Sequence, residues 1–170
     1  CYGRTKLEGE QAVAAAGGGH TILRTAWLYG RRGRNFPKAI LRRALERPGE
    51  PLRVVNDQFG SPTWSRRLAE QIAAVIDRPP PGICHATAEG CCSWFDFAAR
   101  FLTAMGIAAD VTACTTREYP RPAARPANSI LENARLKALG LNRMLPWEMD
   151  VDAFAEAYRS ELAAECGGRS

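Results

Sequence analysis

The stretch Thr21-Ile22-Leu23-Arg24-Thr25-Ala26-Trp27-Leu28 decides how the chain is read. Its large and β-branched apolar residues follow no helical repeat, so it reads as a buried strand. Ahead of it, residues 2–16 read as a helix with apolar positions at Leu7, Ala12, Val13 and Ala14, stopped by Gly17-Gly18-Gly19. After it, residues 36–47 place Phe36, Ile40, Leu41 and Leu45 at helical spacing. Residues 52–55 read as a short strand, and residues 57–63 as a loop punctuated by Gly60 and Pro62. Residues 64–77 form an amphipathic helix through Leu68, Ile72, Val75 and Ile76, which Pro79-Pro80-Pro81 must break.

The second half continues the alternation. Residues 83–87 read as a strand. Ser93 with Asp96 three residues later is a capping-box pair opening a helix that carries Phe97, Phe101, Leu102 and Met105 and stops at Gly106. Residues 111–115 read as a strand and residues 118–126 as a proline-punctuated extended run. Two short helices, at 133–139 and 151–164, close the chain. Strands alternating with helices predict an α/β protein, with parallel strands in the first half.

Hydrophobic residues make up 46% and charged residues 24% of the 170, a globular balance that excludes a disordered chain. No apolar run is long enough to cross a bilayer, and no signal peptide is apparent, so a cytoplasmic protein with no membrane partner is expected. The first residue is Cys1 rather than Met, and the chain is expected to be a fragment. The net charge of +5 is uneven: residues 1–50 hold ten Lys/Arg and four Asp/Glu (+6), and the rest thirteen and fourteen (−1). A local basic excess suits a phosphate-bearing partner. Zinc-finger spacing and an aromatic-basic RNA signature are both lacking, so nucleic acid is not the expected partner. The six cysteines (Cys1, Cys84, Cys91, Cys92, Cys114 and Cys166) form no Cys-x-x-Cys pair, and His20 and His85 lie far from metal-ligand spacing. They read as reduced thiols, with no metal site expected.

Chemistry enters at Tyr2-Gly3-Arg4-Thr5-Lys6. Residues four apart share a helix face, so the phenol and the ammonium can point into one cleft. A neighbouring positive charge favours the phenolate, which makes the tyrosine a usable proton donor to a carbonyl oxygen. A surface pair has the same pattern. The blocks that follow set it apart: YGRTKLEGEQAV, ILRTAWLYG, GRNF, VVNDQFGSPT and RPANSILEN, in that order.

Together these blocks resemble the extended short-chain dehydrogenase/reductases, and within them the dTDP-4-dehydrorhamnose reductase family. The resemblance runs from Tyr2 to about Trp147. It implies the C-terminal part of a Rossmann-type doubly wound parallel sheet with a small substrate-binding region. Residues 1–88 would be the remaining part of the dinucleotide-binding domain, with 31–50 contributing to the substrate side, and residues 89–170 the substrate-binding region. It implies NADPH-dependent reduction of the C4 keto group of dTDP-4-dehydro-6-deoxy-L-mannose to dTDP-L-rhamnose. Tyr2 would donate the proton to O4, and Lys6 would hold the nicotinamide ribose. Arg24 and Thr25 would border the nicotinamide at a strand end. Trp27 would line the sugar pocket with its aromatic face, or serve the core. Asn35 would donate to phosphate or bond backbone. Arg125 would contact the diphosphate or make a structural salt bridge. The intact enzyme could be a homodimer.

Two departures accompany the match. The Gly-rich turn that holds a pyrophosphate is lacking, since Gly17-Gly18-Gly19 follows a helix. The family's third catalytic hydroxyl, upstream of the tyrosine, is lacking too. Some members bind magnesium through a Glu just after the Pro-Thr loop; Arg66 stands there, so magnesium is not expected. A sibling NAD-dependent epimerase or dehydratase, and a catalytically silent regulatory subunit, are the rival readings. Trp27 and the RPANSILEN block favour the reductase over the first, and the Tyr2/Lys6 pair favours an enzyme over the second.

Overall fold

The fold was analysed in a computed structural model that describes residues 2–120, 123 and 125–168. Helix α1 (Tyr2–Ala15) is followed by Gly17 and Gly18 at φ +78° and +77°, a left-handed turn that ends it. Strand β1 (Thr21–Arg24) then pairs in parallel with β6 (Gly82–His85), Thr21 opposite Gly82 and Arg24 opposite His85.

The single long strand expected over residues 21–28 is in fact two. The chain leaves the β1–β6 ladder after Arg24, and Trp27 takes φ +47°. Strand β2 (Leu28–Tyr29) therefore joins a new parallel partner, β5 (Thr63–Trp64). The left-handed residue between them is what changes the partner. Helix α2 (Phe36–Glu46) follows, then β3 (Leu52–Val55), which runs parallel to β8 (Val111–Cys114). The loop expected at 57–63 contains strand β4 (Phe59–Gly60), antiparallel to β7 (Cys92–Ser93). Helix α3 (Ser65–Ile76) precedes β6, and α4 (Trp94–Met105) follows β7. The α4 capping box is complete: Ser93 Oγ accepts from the Asp96 N–H, and Asp96 accepts from the Ser93 N–H. Gly106 closes that helix at φ +74°.

Helices α5 (Ala134–Ala138) and α6 (Trp147–Gly167) complete the order. The last helix starts four residues before its expected beginning and runs for 21 residues. Pro146 supplies a fixed φ at its N-cap, and Glu148 and Asp150 complement the dipole of its first turn. The molecule is α/β, with three parallel ladders and one antiparallel ladder among the described residues.

The larger core lies where α2, α4 and α6 meet β3, with Leu41, Leu52, Phe97, Phe101, Phe154 and Leu162 all within 1% of full burial. A smaller core of Val75, Cys84, Ala86 and Leu136, flanked by Leu23 and Leu68, sits under the β1–β6 ladder. Two buried amides stitch loops to these cores. Gln71 donates to the Leu141 carbonyl and accepts from the Arg143 N–H. Asn133 accepts from the Thr87 N–H and donates to the Thr87 carbonyl and to Glu89. Such pairing is required of buried polar groups. Helix α1, by contrast, has no buried side chain.

Candidate active site

A cavity of about 590 Å³ opens between the start of α2, strand β3 and the beginning of α4. Its wall combines Trp27, Phe36 and Trp94 with the guanidinium-bearing residues Arg34, Arg43, Arg53 and Arg125. An apolar, aromatic wall with a few convergent charged groups is the usual composition of a small-molecule site. Three of the residues expected to bind substrate, Trp27, Asn35 and Arg125, are thus brought to one cavity from positions up to 98 residues apart.

Each arrives by a distinct local device. Asn35 is the N-cap of α2: its Oδ1 accepts from the Lys38 N–H at 3.2 Å, and its Nδ2 donates to the Gly30 carbonyl at 2.7 Å. Both polar atoms of the side chain thus bond backbone, one of the two roles the sequence left open. Arg125 belongs to the arm between β8 and α5. The Asp57-Gln58-Phe59 run holds that arm at both ends. Asp57 accepts from the N–H and hydroxyl of Thr116, hydrogen bonds that keep its carboxyl below the usual range. Gln58 donates to the same hydroxyl at 2.9 Å. At the far end, Phe59 donates to the Ala127 carbonyl and accepts from the Ser129 N–H. Residues 121, 122 and 124, part of the extended run expected at 118–126, lie outside the described residues. The DQFGSPT and RPANSILEN blocks therefore interlock, which is why both accompany a single site.

Trp27 is held on both faces. Gly60 lies over one: a Cβ there would fall onto Cε2, Nε1 and Cδ2 of the indole. Trp94 stacks on it with ring centroids 3.5 Å apart and planes 9° apart, which fills the opposite face. The residue expected to present an aromatic face to a sugar instead has both faces covered.

The other expected residues lie outside this cavity wall. Tyr2 is 77% exposed, and the Lys6 ammonium sits 5.7 Å from its ring centroid, so the two do share one helix face. Arg24 makes a bidentate pair with Glu10, at 2.8 and 2.6 Å, tying β1 to α1; the hydrogen bond from Arg24 keeps the Glu10 carboxyl below its ordinary range. Thr25 is exposed just beyond β1. Arg66, at the position considered for magnesium, pairs with Glu70 at 3.4 Å and lies over the Trp64 ring. Among the described residues, no group of three or more His, Cys, Asp or Glu could hold a metal, and no helix is long and apolar enough to cross a membrane. Cys84, Cys91, Cys92, Cys114 and Cys166 are free thiols; Cys1 lies outside the described residues.

Trp94, Arg34, Arg43 and Arg53 were not singled out from sequence. The basic excess of residues 1–50 suited a phosphate-bearing partner without showing which of its arginines line a cavity, and Arg53 lies beyond that stretch. Nothing local to Trp94 reveals that it meets Trp27, 67 positions earlier.

Residues 1–160 match the family model described as the RmlD substrate binding domain. A probable dTDP-4,6-dihydroxy-2-methyloxan-3-one 4-ketoreductase from Streptomyces antibioticus is 44% identical over 168 residues, covering 96% of this chain and 55% of that protein. A crystal structure of a dTDP-4-dehydrorhamnose reductase from Clostridium acetobutylicum superposes with a TM-score of 0.87 at 40% identity, over 93% of this chain and 55% of that one. The Bacillus anthracis reductase, solved in complex with NADP, superposes with a TM-score of 0.85 at 36% identity, over 92% and 54%. The chain spans about half the length of the relatives it matches. On a match that runs through nearly all of its length, the chain belongs to the RmlD substrate-binding family, alongside the dTDP-4-dehydrorhamnose reductases.

Proposed function

We propose that the full-length protein reduces the C4 keto group of dTDP-4-dehydro-6-deoxy-L-mannose with NADPH, giving dTDP-L-rhamnose. The observation that carries this reading is the cavity itself, where an aromatic wall suited to a sugar meets Arg34, Arg43 and Arg125, suited to a diphosphate, with Arg53 beside them paired to Glu118. Residues 1–88 bring the cofactor side, with 31–50 shared with the substrate side, and residues 89–170 supply the substrate-binding region. The larger core, which joins α2 to α4 and α6, supports that sharing.

Tyr2 and Lys6 fit a nicotinamide and its ribose because they stand together on one exposed face of α1. NADPH, when bound, supplies the hydride that adds to C4. Tyr2 holds the proton that passes to O4, and Lys6 stabilises the phenolate left behind. Arg24, already paired with Glu10, fixes α1 against β1 and so orients that pair. Arg125 and its neighbours neutralise the diphosphate and fix the sugar's register. A homodimer in a cytoplasmic setting completes the proposal, and the free thiols fit a reducing compartment.

The test is an assay of the full-length protein with dTDP-4-dehydro-6-deoxy-L-mannose and either nicotinamide. Consumption of NADPH with formation of dTDP-L-rhamnose is expected. Epimerisation of a UDP-sugar without NADPH consumption overturns the reading. Tyr2→Phe is expected to lose roughly 10²–10⁴-fold in rate with substrate binding little changed. Near-normal turnover in that variant removes Tyr2 from the role of proton donor.

A further inference from the structure

We propose that Trp94 is a positioning residue: with Gly60 it forms a clamp that holds Trp27 edge-on to the cavity, so that a bound sugar meets the rim of the indole and not its face. The proposal rests on the reading of the cavity as a nucleotide-sugar site.

Trp27 is the one non-glycine residue at positive φ among those described. The left-handed region is unfavourable for a residue with a Cβ, so the surroundings must impose it. The two jaws that do so belong to a single unit. Gly60 pairs with Cys92 and Phe59 with Ser93 in the β4–β7 ladder, and Trp94 is the next residue after that ladder. The Ser93–Asp96 capping box fixes the turn on which Trp94 stands. Gly60 and Trp94 are thus held by one hydrogen-bonded frame, and the indole of Trp27 fills the gap between them.

The geometry of the stack points the same way. Free aromatic pairs favour offset or edge-to-face arrangements over a parallel sandwich. Planes 9° apart with centroids at 3.5 Å are therefore set by the frame and not by the rings' own preference. On its far side Trp94 meets Phe36, with centroids 4.6 Å apart, at the start of α2. The clamp thereby couples the orientation of Trp27 to the helix end that carries Arg34 and Asn35.

The experiment uses the full-length protein and two readouts. Stacked indoles with skewed transition moments give an exciton couplet in the far-ultraviolet circular dichroism, expected as the same difference spectrum when either Trp27→Phe or Trp94→Phe is subtracted from wild type. Saturation with dTDP-L-rhamnose is expected to leave the couplet intact, because the ligand meets only the edge. Loss of the couplet on binding overturns the clamp, since it would mean that the sugar displaces Trp94. In kinetics, Trp94→Leu frees Trp27 to be ordered anew at each binding event. This is expected to raise KM for the keto sugar by about three- to tenfold, with the smaller effect on kcat. Trp94→Phe restores a stacking ring and should bring KM back to within about twofold of wild type. A folded Trp94→Leu protein with wild-type KM also overturns the proposal. A wild-type protein that neither binds nor reduces the dTDP-sugar sinks the functional reading instead.

Discussion

Helices α1 and α6 are both well formed, yet α1 buries no side chain while α6 buries Trp147, Val151, Phe154, Ala155, Leu162 and Cys166. The helices differ in content and in spacing: α6 carries large apolar side chains that it buries along one side, whereas the large aliphatics of α1 are Leu7 and Val13 alone. In α6 the apolar residues recur every three or four positions and make one stripe. In α1, Leu7 and Val13 are six apart, about 240° round a helix, so no face is apolar enough to dock. Its Ala, Leu, Glu, Gln and Lys residues favour the helix locally. The side-chain bonds that tie it to the rest run between Glu10 and Arg24. Each phenylalanine buried by α4 and α6 is worth roughly 1.5–3 kcal/mol, whereas exposed ion pairs contribute little. The part of this chain that carries Tyr2 and Lys6 is thus its least anchored part, and the part that shapes the cavity its most anchored.

The comparison breaks most readily at Phe154. Its ring is fully buried and touches those of Tyr29, Trp64, Phe101 and Tyr158. Phe154→Ala should lower the unfolding free energy by about 3–5 kcal/mol in denaturant titration. A loss no larger than that of an exposed substitution would show that the α4–α6 core is not what holds the molecule together.

Gly60→Ala sharpens the contrast from the cavity side. The added methyl meets the Trp27 indole, so overpacking of about 1–3 kcal/mol is expected, seen as a lower thermal midpoint. An unchanged midpoint would mean that Trp27 can swing away freely, contrary to a ring gripped on both faces.

The smallest effect belongs to α1. Glu10→Gln should leave the global unfolding midpoint where it is while hastening hydrogen exchange in α1. Arg24 holds the Glu10 carboxyl below its unfolded value. Whatever the pair contributes is therefore present above that unfolded value and lost as pH falls through the folded one. Wild type and Glu10→Gln should exchange alike in acid; a difference that persists there would assign the anchoring of α1 to something other than this pair.

Much of this contrast was legible from residue order. The helical spacing of Phe36, Ile40 and Leu41, the Ser93–Asp96 cap and the Gly106 stop are local signals, and local hydrogen bonds and sterics decide them. The split of residues 21–28 was not legible. All eight suit a strand, and the break comes from Gly60 and Trp94 gripping Trp27, contacts 33 and 67 positions away. Helix α6 starts earlier than the 151–164 expected, with Pro146 at its N-cap supplying the fixed φ from which it begins. At the site, residue types revealed Trp27, Asn35 and Arg125 through the resemblance of their blocks. The remaining arginines and Trp94 become visible only when β3 and β7 find their distant partners.

The buried ammonium of Lys38 is matched by Glu165 at 2.8 Å, and the thiol of Cys166 lies 3.7 Å from the Lys38 carbonyl. Residues at the two ends of a 128-position span thus complete the same wall of the larger core. Chains dominated by such distant pairings condense slowly. Translation delivers roughly 5–20 residues per second, so the aromatic surface of α4 emerges seconds before the helix that covers it. During that interval Phe97 and Phe101 are the groups most in need of protection. The birth of this protein on the ribosome, more than its life once folded, is where a holdase chaperone would matter.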